Sequence, residues 1–172
     1  MQPVKPIESL QQQEVIALTR YHIHLAEVHF KRKFNSIPVL FNLSGRIAGM
    51  YKVVRGGRVI RYNPYLFAKY YTDNLATTVP HEVAHYVTDM VYGIRRIRPH
   101  GKEWQSVMHL FGVEPKVTCD YDLSGIPVRT QRRFDYRCNC RSFTVTTRRH
   151  NMIRLGIRRY ECPDCKSFIQ AV

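Results

Sequence analysis

Residues 79–87 read VPHEVAHYV, with His81 and His85 four positions apart and Glu82 directly after the first histidine. On an α-helix, residues i and i+4 share a face and sit about 6 Å apart along the axis. Two imidazoles spaced this way can converge on one zinc ion. Glu82 is offset around the helix, where it can meet a water beside the metal without ligating the metal itself. Zinc acidifies such a water toward a pKa of about 7, and the carboxylate removes the proton as the water attacks a carbonyl. The alternative is an ordinary helix whose histidines and glutamate are merely solvated, and the chain has eight histidines. Val79, Val83, Ala84 and Val87 surround the pattern with apolar side chains. Polar groups set among core residues need partners, which favours the metal.

A catalytic zinc takes three protein ligands and leaves one position open. Asp89 follows His81 by eight residues, a rise of about 12 Å on a helix. Ligands must approach within about 2 Å of the ion, so Asp89 cannot join both histidines. It could still orient His85 from behind. The downstream candidates are His100, Glu103 and His109. His100 stands in RPHGKEW beside Gly101, which allows a tight backbone turn.

A second constellation lies near the C-terminus. Cys138, Cys140, Cys162 and Cys165 form C-x-C and C-x2-C pairs, suited to a tetrahedral structural zinc. A short β segment buries too little core to stand alone, and metal binding supplies folding energy. The competing reading is disulfides. C-x-C is tighter than the usual knuckle, so His150 is kept as a reserve ligand. Cys119 belongs to neither group and reads as a free, partly buried thiol.

The charge is strongly basic: 27 Lys and Arg against 13 Asp and Glu, a formal net charge of +14 in 172 residues. The last 44 residues carry eleven basic and three acidic side chains, hence +8 of that total. Arg137, Arg141, Arg148, Arg149, Arg154, Arg158 and Arg159 are interleaved there with Tyr136, Phe143 and Tyr160. Guanidinium groups pair with phosphates and aromatic rings can stack on unpaired bases. This predicts a nucleic-acid surface, DNA first, without sequence readout. The plainer alternative has the rings packing the ribbon and the arginines keeping it soluble. No apolar run approaches the roughly 18 residues that a membrane span requires. The opening MQPVKPIESLQQQ has neither a basic start nor an apolar stretch, so no secretory signal is expected. A cytosolic monomer follows as the expectation, in a compartment where disulfides are unusual.

The elements that must position these groups can be outlined. Residues 7–33 read as a helix, with Leu10, Ile16, Leu25 and Val28 at broadly helical spacing. Its His22, His24 and His29 fit no complete ligand motif and are expected at the surface or an interface. IAGMYKVV and RVIRYNP flank Arg55-Gly56-Gly57 and predict a β-hairpin. Residues 65–92 look helical, with Pro80 marking either a new helix near Val79 or a kink. A short helix over 101–111, ended by Gly112, and an irregular stretch over 113–133 follow. The composition then shifts at Phe134.

In combination, VPHEVAH, PHGKEW fifteen residues after His85, YRCNC, YECPDC, the RYNP segment and TTRRHN resemble the SprT family, which includes the DNA–protein crosslink protease Spartan. The resemblance covers nearly the whole chain. It implies an α+β fold: a zincin-like minimal metalloprotease core over residues 1–133 and a small β zinc-ribbon module over 134–172. It also implies a catalytic zinc on His81, His85 and His100, Glu82 as catalytic acid/base, and the four cysteines as ligands of a structural zinc. An extended substrate would pair with the hairpin strand nearest the site, expected within Arg58–Tyr62. Tyr62, Tyr86 and Arg98 are unranked candidates for stabilising an oxyanion. The expected function is a zinc-dependent endopeptidase acting on DNA-associated or DNA-crosslinked proteins. The alternatives are a nucleic-acid-binding regulator with a weak or structural HExxH site, and a protease without a nucleic-acid role.

Overall fold

The computed structural model describes residues 3–117, 120–128 and 132–172. The chain is α+β and divides into two compact units, Met1–Val128 and Arg129–Val172. A boundary after residue 133 would instead cut the first strand of the second unit, Arg133–Arg137.

The first unit opens with helix α1 (Ser9–Phe30). Three strands follow, β1 (Val39–Leu40), β2 (Gly49–Val54) and β3 (Gly57–Tyr62). They form one sheet in the order β1-β3-β2, with β1 parallel and β2 antiparallel to β3. The predicted hairpin is β2–β3, turned at Arg55-Gly56, where Gly56 has φ +88°. β3 is therefore the central strand and β2 an edge, and this edge assignment decides which strand can receive a peptide.

The helical region after β3 is not one helix. α2 (Pro64–Lys69) starts on Asn63, whose side chain caps the Tyr65 and Leu66 N–H groups at 3.1 and 3.3 Å. The Asn63 amide also donates to the carbonyls of Gly45 and Ile47, which ties down the loop leading into β2. α2 stops at Tyr70 (φ −130°, ψ 51°). The buried Asn74 amide gives the carbonyls of Leu66 and Tyr70, on either side of the break, a second donor beside their backbone ones. From there α3 (Tyr71–Asp73), a π-helical turn (Asn74–Thr78) and α4 (Val79–Tyr92) run on continuously. α4 thus begins at Val79 with Pro80 in its first turn, one of the two expected outcomes, and the chain enters it from the π-turn without a break. The wider turn just before Pro80 absorbs the disturbance caused by its missing N–H, as π-turns commonly do.

α4 is the centre of the unit, packed against α1, β2, β3 and the later helix α5 (Lys102–Leu110). Val79, Val83, Ala84 and Val87 are fully buried. α1 turns inward a stripe of Val15, Thr19, His22 and Ala26, while Leu10 and Val28 are 78% and 64% exposed. The apolar count misplaces this face because its polar members are satisfied locally: Thr19 Oγ1 donates to Val15 O at 2.8 Å and His22 Nδ1 bonds Leu18 O at 3.0 Å. His22 is consequently buried beneath Phe111, whereas His24 and His29 are exposed. Residues 113–117 and 120–128 form no helix or strand, as expected, and are held by Gly45 N–H to Pro127 O and Val4 N–H to Gly125 O. Cys119 lies outside the described residues.

The second unit contains β4 (Arg133–Arg137), β5 (Ser142–Thr146), α6 (Thr147–Arg154) and β6 (Gln170–Ala171), with sheet order β5-β4-β6. Among the described residues its small core cluster is Tyr136, Val145 and Ile169, with Phe134, Phe143, Ile153 and Tyr160 packed around them and Cys162 also buried.

Candidate metal centres

α4 and the loop after it bring His81, His85 and His100 to one point. Their Nε2 atoms lie 3.3 Å (81–85), 3.0 Å (85–100) and 3.1 Å (81–100) apart. Nitrogens at about 2.0–2.1 Å from a tetrahedral zinc are about 3.3 Å from each other, so this spacing suits the ion. A neutral imidazole has one N–H. Whichever of these Nε2 atoms carry a proton, at least one of the three contacts sets lone pair against lone pair or N–H against N–H, whereas a cation between them takes a lone pair from each. Burial, reinforced by the neighbouring histidines, holds His81 down to about 4 and His85 down to about 3, and burial lowers His100 as well. All three are therefore neutral and ligand-ready near pH 7. Glu103, His109 and Asp89 stand outside this group.

The loop reaches the site through a conformation the sequence misattributed. The left-handed residue is His100 itself (φ 57°), and Gly101 has an ordinary φ of −70°. Gly101 is required for space, since a Cβ there would meet the Arg98 carbonyl oxygen at 2.9 Å. Trp104, 1% exposed on α5, forms the floor. Its ring centroid lies 4.8, 5.6 and 4.7 Å from those of His81, His85 and His100, and its Nε1 donates to His81 O at 3.3 Å.

Glu82 does not join the imidazole group. Its Oε2 accepts the Tyr51 N–H at 2.6 Å, leaving Oε1 unengaged by that bond. Burial pushes its carboxyl up to about 8, opposed by the Tyr51 N–H. Gly49 permits this approach of β2, because a Cβ there would lie 2.6 Å from Glu82 Cγ and 2.7 Å from Thr78 Cγ2. Neither Gly49, Tyr51 nor Trp104 carried a role in the sequence reading; the only signal was the lone tryptophan inside PHGKEW.

Asp89 does not orient His85. It accepts the Tyr51 hydroxyl, Arg58 Nε at 2.6 Å and the Ile94 N–H at 2.8 Å, joining α4 to β2, β3 and the following loop. Burial alone would raise its carboxyl, but those donors hold it below the usual range. Two oxyanion candidates are also placed elsewhere: the Tyr62 hydroxyl bonds Thr19 and the Tyr86 hydroxyl donates to Asn35 O. Arg98 does line the site. Two clefts, of about 360 and 330 Å³, meet at Gly49, His81 and Glu82. The first runs toward Asp73 and Tyr121, the second toward His100, Arg98 and Ile97. A larger groove of about 600 Å³ between α1 and residues 34–39 includes none of the three imidazoles.

In the second unit the thiols of Cys138, Cys140, Cys162 and Cys165 lie within 4.8 Å of one another. The 138–140 and 140–162 Sγ distances are 3.3 and 3.7 Å, far beyond a disulfide bond of about 2.05 Å. They approach the roughly 3.7 Å expected of thiolates around tetrahedral zinc. Hydrogen bonds from Ser167 pull Cys165 down to about 6, whereas the neighbouring thiols push Cys140 up to about 12. Four thiolates so close ionise together only against a cation. His150 is not a ligand here: it stacks on Phe134 at 3.7 Å and meets the Tyr136 hydroxyl at 3.2 Å.

All seven arginines singled out in this unit are exposed. Arg141 pairs with Asp164 at 3.0 Å, and Arg149 and Arg159 lie over the rings of Tyr160 and Phe168. Tyr136 is 1% exposed, and Phe143 and Tyr160 pack beside it. These rings therefore pack the interior of the second unit, and the exposed ring is Phe168.

The sequence profile of the SprT-like family matches residues 18–131. The chain belongs to the SprT-like family. Among its SprT-like relatives, Protein SprT of Vibrio parahaemolyticus serotype O3:K6 (strain RIMD 2210633) is 39% identical over 144 residues, 83% of each chain. Protein SprT of Pasteurella multocida (strain Pm70) is 35% identical over 167 residues, 96% of each chain. Protein SprT of Shewanella oneidensis (strain MR-1) is 33% identical over 159 residues, 92% of this chain and 97% of that one. No solved structure matches the chain. The SprT-like family is related to zinc metalloproteases, which accords with the histidine group. Among the described residues, no helix is long and apolar enough to cross a membrane.

Proposed function

We propose that this SprT-like chain is a zinc-dependent endopeptidase of zincin type, a cytosolic monomer acting on proteins held on or crosslinked to DNA. One observation carries the reading: three mutually close imidazole nitrogens share their clefts with a buried carboxylate that is not part of the group. Zinc held by His81, His85 and His100 would polarise the scissile carbonyl and acidify water. Glu82 supplies the base: burial raises its carboxyl, and the positive charge of a zinc ion beside it would favour the ionised form. With Oε2 engaged by Tyr51, Oε1 accepts the proton of the attacking water and passes it to the leaving amine. One water is consumed, and one carboxylic acid and one amine are released.

The substrate strand is assigned to β2 rather than to Arg58–Tyr62, because β3 is paired on both sides. Tyr51 turns its N–H away from β3, and the antiparallel alternation turns the backbone groups of Gly49 and Val53 the same way. An extended peptide adding to this edge would cross both clefts at Glu82.

The second unit is read as a structural zinc ribbon whose exposed arginines hold the enzyme on nucleic acid by phosphate contacts. The deciding experiment compares wild type with Glu82→Gln for cleavage of a DNA-binding protein, with and without DNA. Cleavage by wild type only, stimulated by DNA and with zinc content unchanged, is expected. Equal cleavage by both proteins would remove the catalytic role. Cleavage by neither would leave a nucleic-acid-binding regulator.

A further inference from the structure

The second unit presents an apolar tip that neither the zinc ribbon nor its core explains. α6 ends in Arg154, and the chain turns at Leu155-Gly156-Ile157 before Arg158 and Arg159. Leu155 and Ile157 are each 62% exposed. The turn is rigidly built: Gly156 N–H donates to Ile153 O and Ile157 N–H to Met152 O, both at 3.0 Å, with Gly156 at φ +66°. This is the Schellman closure of a helix, in which the residue after glycine ordinarily folds back on the helix. Here that residue, Ile157, is left largely in water. Arg154 and Arg158 flank the pair and, among the described residues, form no ion pair or hydrogen bond with another side chain.

Two exposed aliphatic side chains on a fixed turn, bracketed by unpaired guanidinium groups, fit a ligand that is anionic outside and apolar within. We propose that Leu155 and Ile157 form a wedge that enters between bases of a bound nucleic acid and unstacks them, while Arg154 and Arg158 hold the adjacent phosphates. The inference rests on the nucleic-acid reading given above for this unit. A nucleic acid suits the tip because its stacked bases lie beside its phosphates, and small apolar side chains are the usual wedges between base steps. A bilayer suits it less. Even a single acyl chain gives only marginal membrane anchoring, and these two side chains bury less surface than that.

The test uses the full-length zinc-loaded chain and DNA carrying 2-aminopurine, whose emission rises on unstacking, in single-stranded, duplex and single-strand/duplex junction forms. The expected result is a rise at saturation with wild type and its loss with Leu155→Ser/Ile157→Ser. The slope of log affinity against log salt should be unchanged, because the arginines remain. Arg154→Gln/Arg158→Gln should do the reverse: it should flatten that slope by about 1.4–1.8 while keeping the rise at saturation. Binding without any rise, or an equal rise with the serine variant, would overturn the wedge while leaving nucleic-acid binding intact. Absence of binding to every DNA form would overturn both. Vesicles of phosphatidylserine and phosphatidylcholine form the last arm: binding to them that depends on Leu155 and Ile157, without emission change on DNA, would assign the tip to a membrane instead. Zinc content and circular dichroism of each variant check that the ribbon is intact.

Discussion

Tyr51 grips α4 at two points seven residues apart: its backbone N–H donates to Glu82 Oε2 at 2.6 Å and its hydroxyl donates to Asp89. The base proposed for catalysis is thus positioned from an edge strand rather than from its own helix. This strand approaches closely only because residue 49 lacks a side chain.

Gly49→Ala therefore tests the placement of Glu82. The new Cβ would fall 2.6 Å from Glu82 Cγ, so either β2 or the carboxylate must shift. Overpacking of this kind costs about 1–3 kcal/mol. A displacement near 1 Å at a reacting group costs about 10²-fold in rate. Thermal unfolding and peptide cleavage should show both losses, with zinc content retained.

Trp104→Phe should weaken metal binding without unfolding the chain. It keeps a ring beneath the three imidazoles but removes the Nε1 bond to His81 O. Loss of a group supporting metal ligands typically costs about 10–100-fold in affinity. Chelator competition reads this directly. Trp104→Ala should additionally destabilise by about 3–5 kcal/mol.

Asp89→Ala is expected to destabilise the first unit by about 3 kcal/mol near pH 7, through loss of charge-assisted hydrogen bonds. The donors from Arg58, Tyr51 and Ile94 hold the folded carboxyl below its ordinary value. Its contribution is accordingly full above the unfolded pKa of about 3.9 and lost as pH falls through the lower folded value. Urea titrations at pH 7 and in the acid range should show the gap between wild type and variant closing only in acid.

His22 gives a separate acid sensitivity at higher pH. Burial lowers its pKa, partly offset by the bond to Leu18 O. The unfolded chain then binds the proton more readily, so stability is full above about pH 6.5 and declines as pH drops below it. His22→Leu should flatten that part of the stability profile, measured as the difference between wild type and variant.

Replacing Cys162 and Cys165 with serine should remove one zinc per chain and leave the other. Among the described residues the apolar core cluster of the second unit is Tyr136, Val145 and Ile169, too small to fold without its metal. Metal analysis should fall from two zinc ions to one. Proteolysis should then digest the region after residue 128 while the first unit resists.

Local pattern determined much of this protein. His81, Glu82 and His85 were legible because helical spacing dictates which side chains share a face. The β2–β3 hairpin was legible from its glycine turn, and the cysteine pairs from their own spacing. The third imidazole became definite only through family resemblance, because α4 ends at Tyr92 and His100 lies in the irregular loop after it, where no periodicity acts. Tertiary structure alone decided the rest. It made β2 the edge strand, moved Asp89 from His85 to Tyr51 and Arg58, and buried Tyr136 while leaving Leu155 and Ile157 in water. It also brought Gly49 and Trp104 to the metal site. These outcomes depend on which surfaces meet between segments distant in sequence. Such contacts are set by packing and by where buried polar groups find partners, and neither is encoded within any single stretch of the chain.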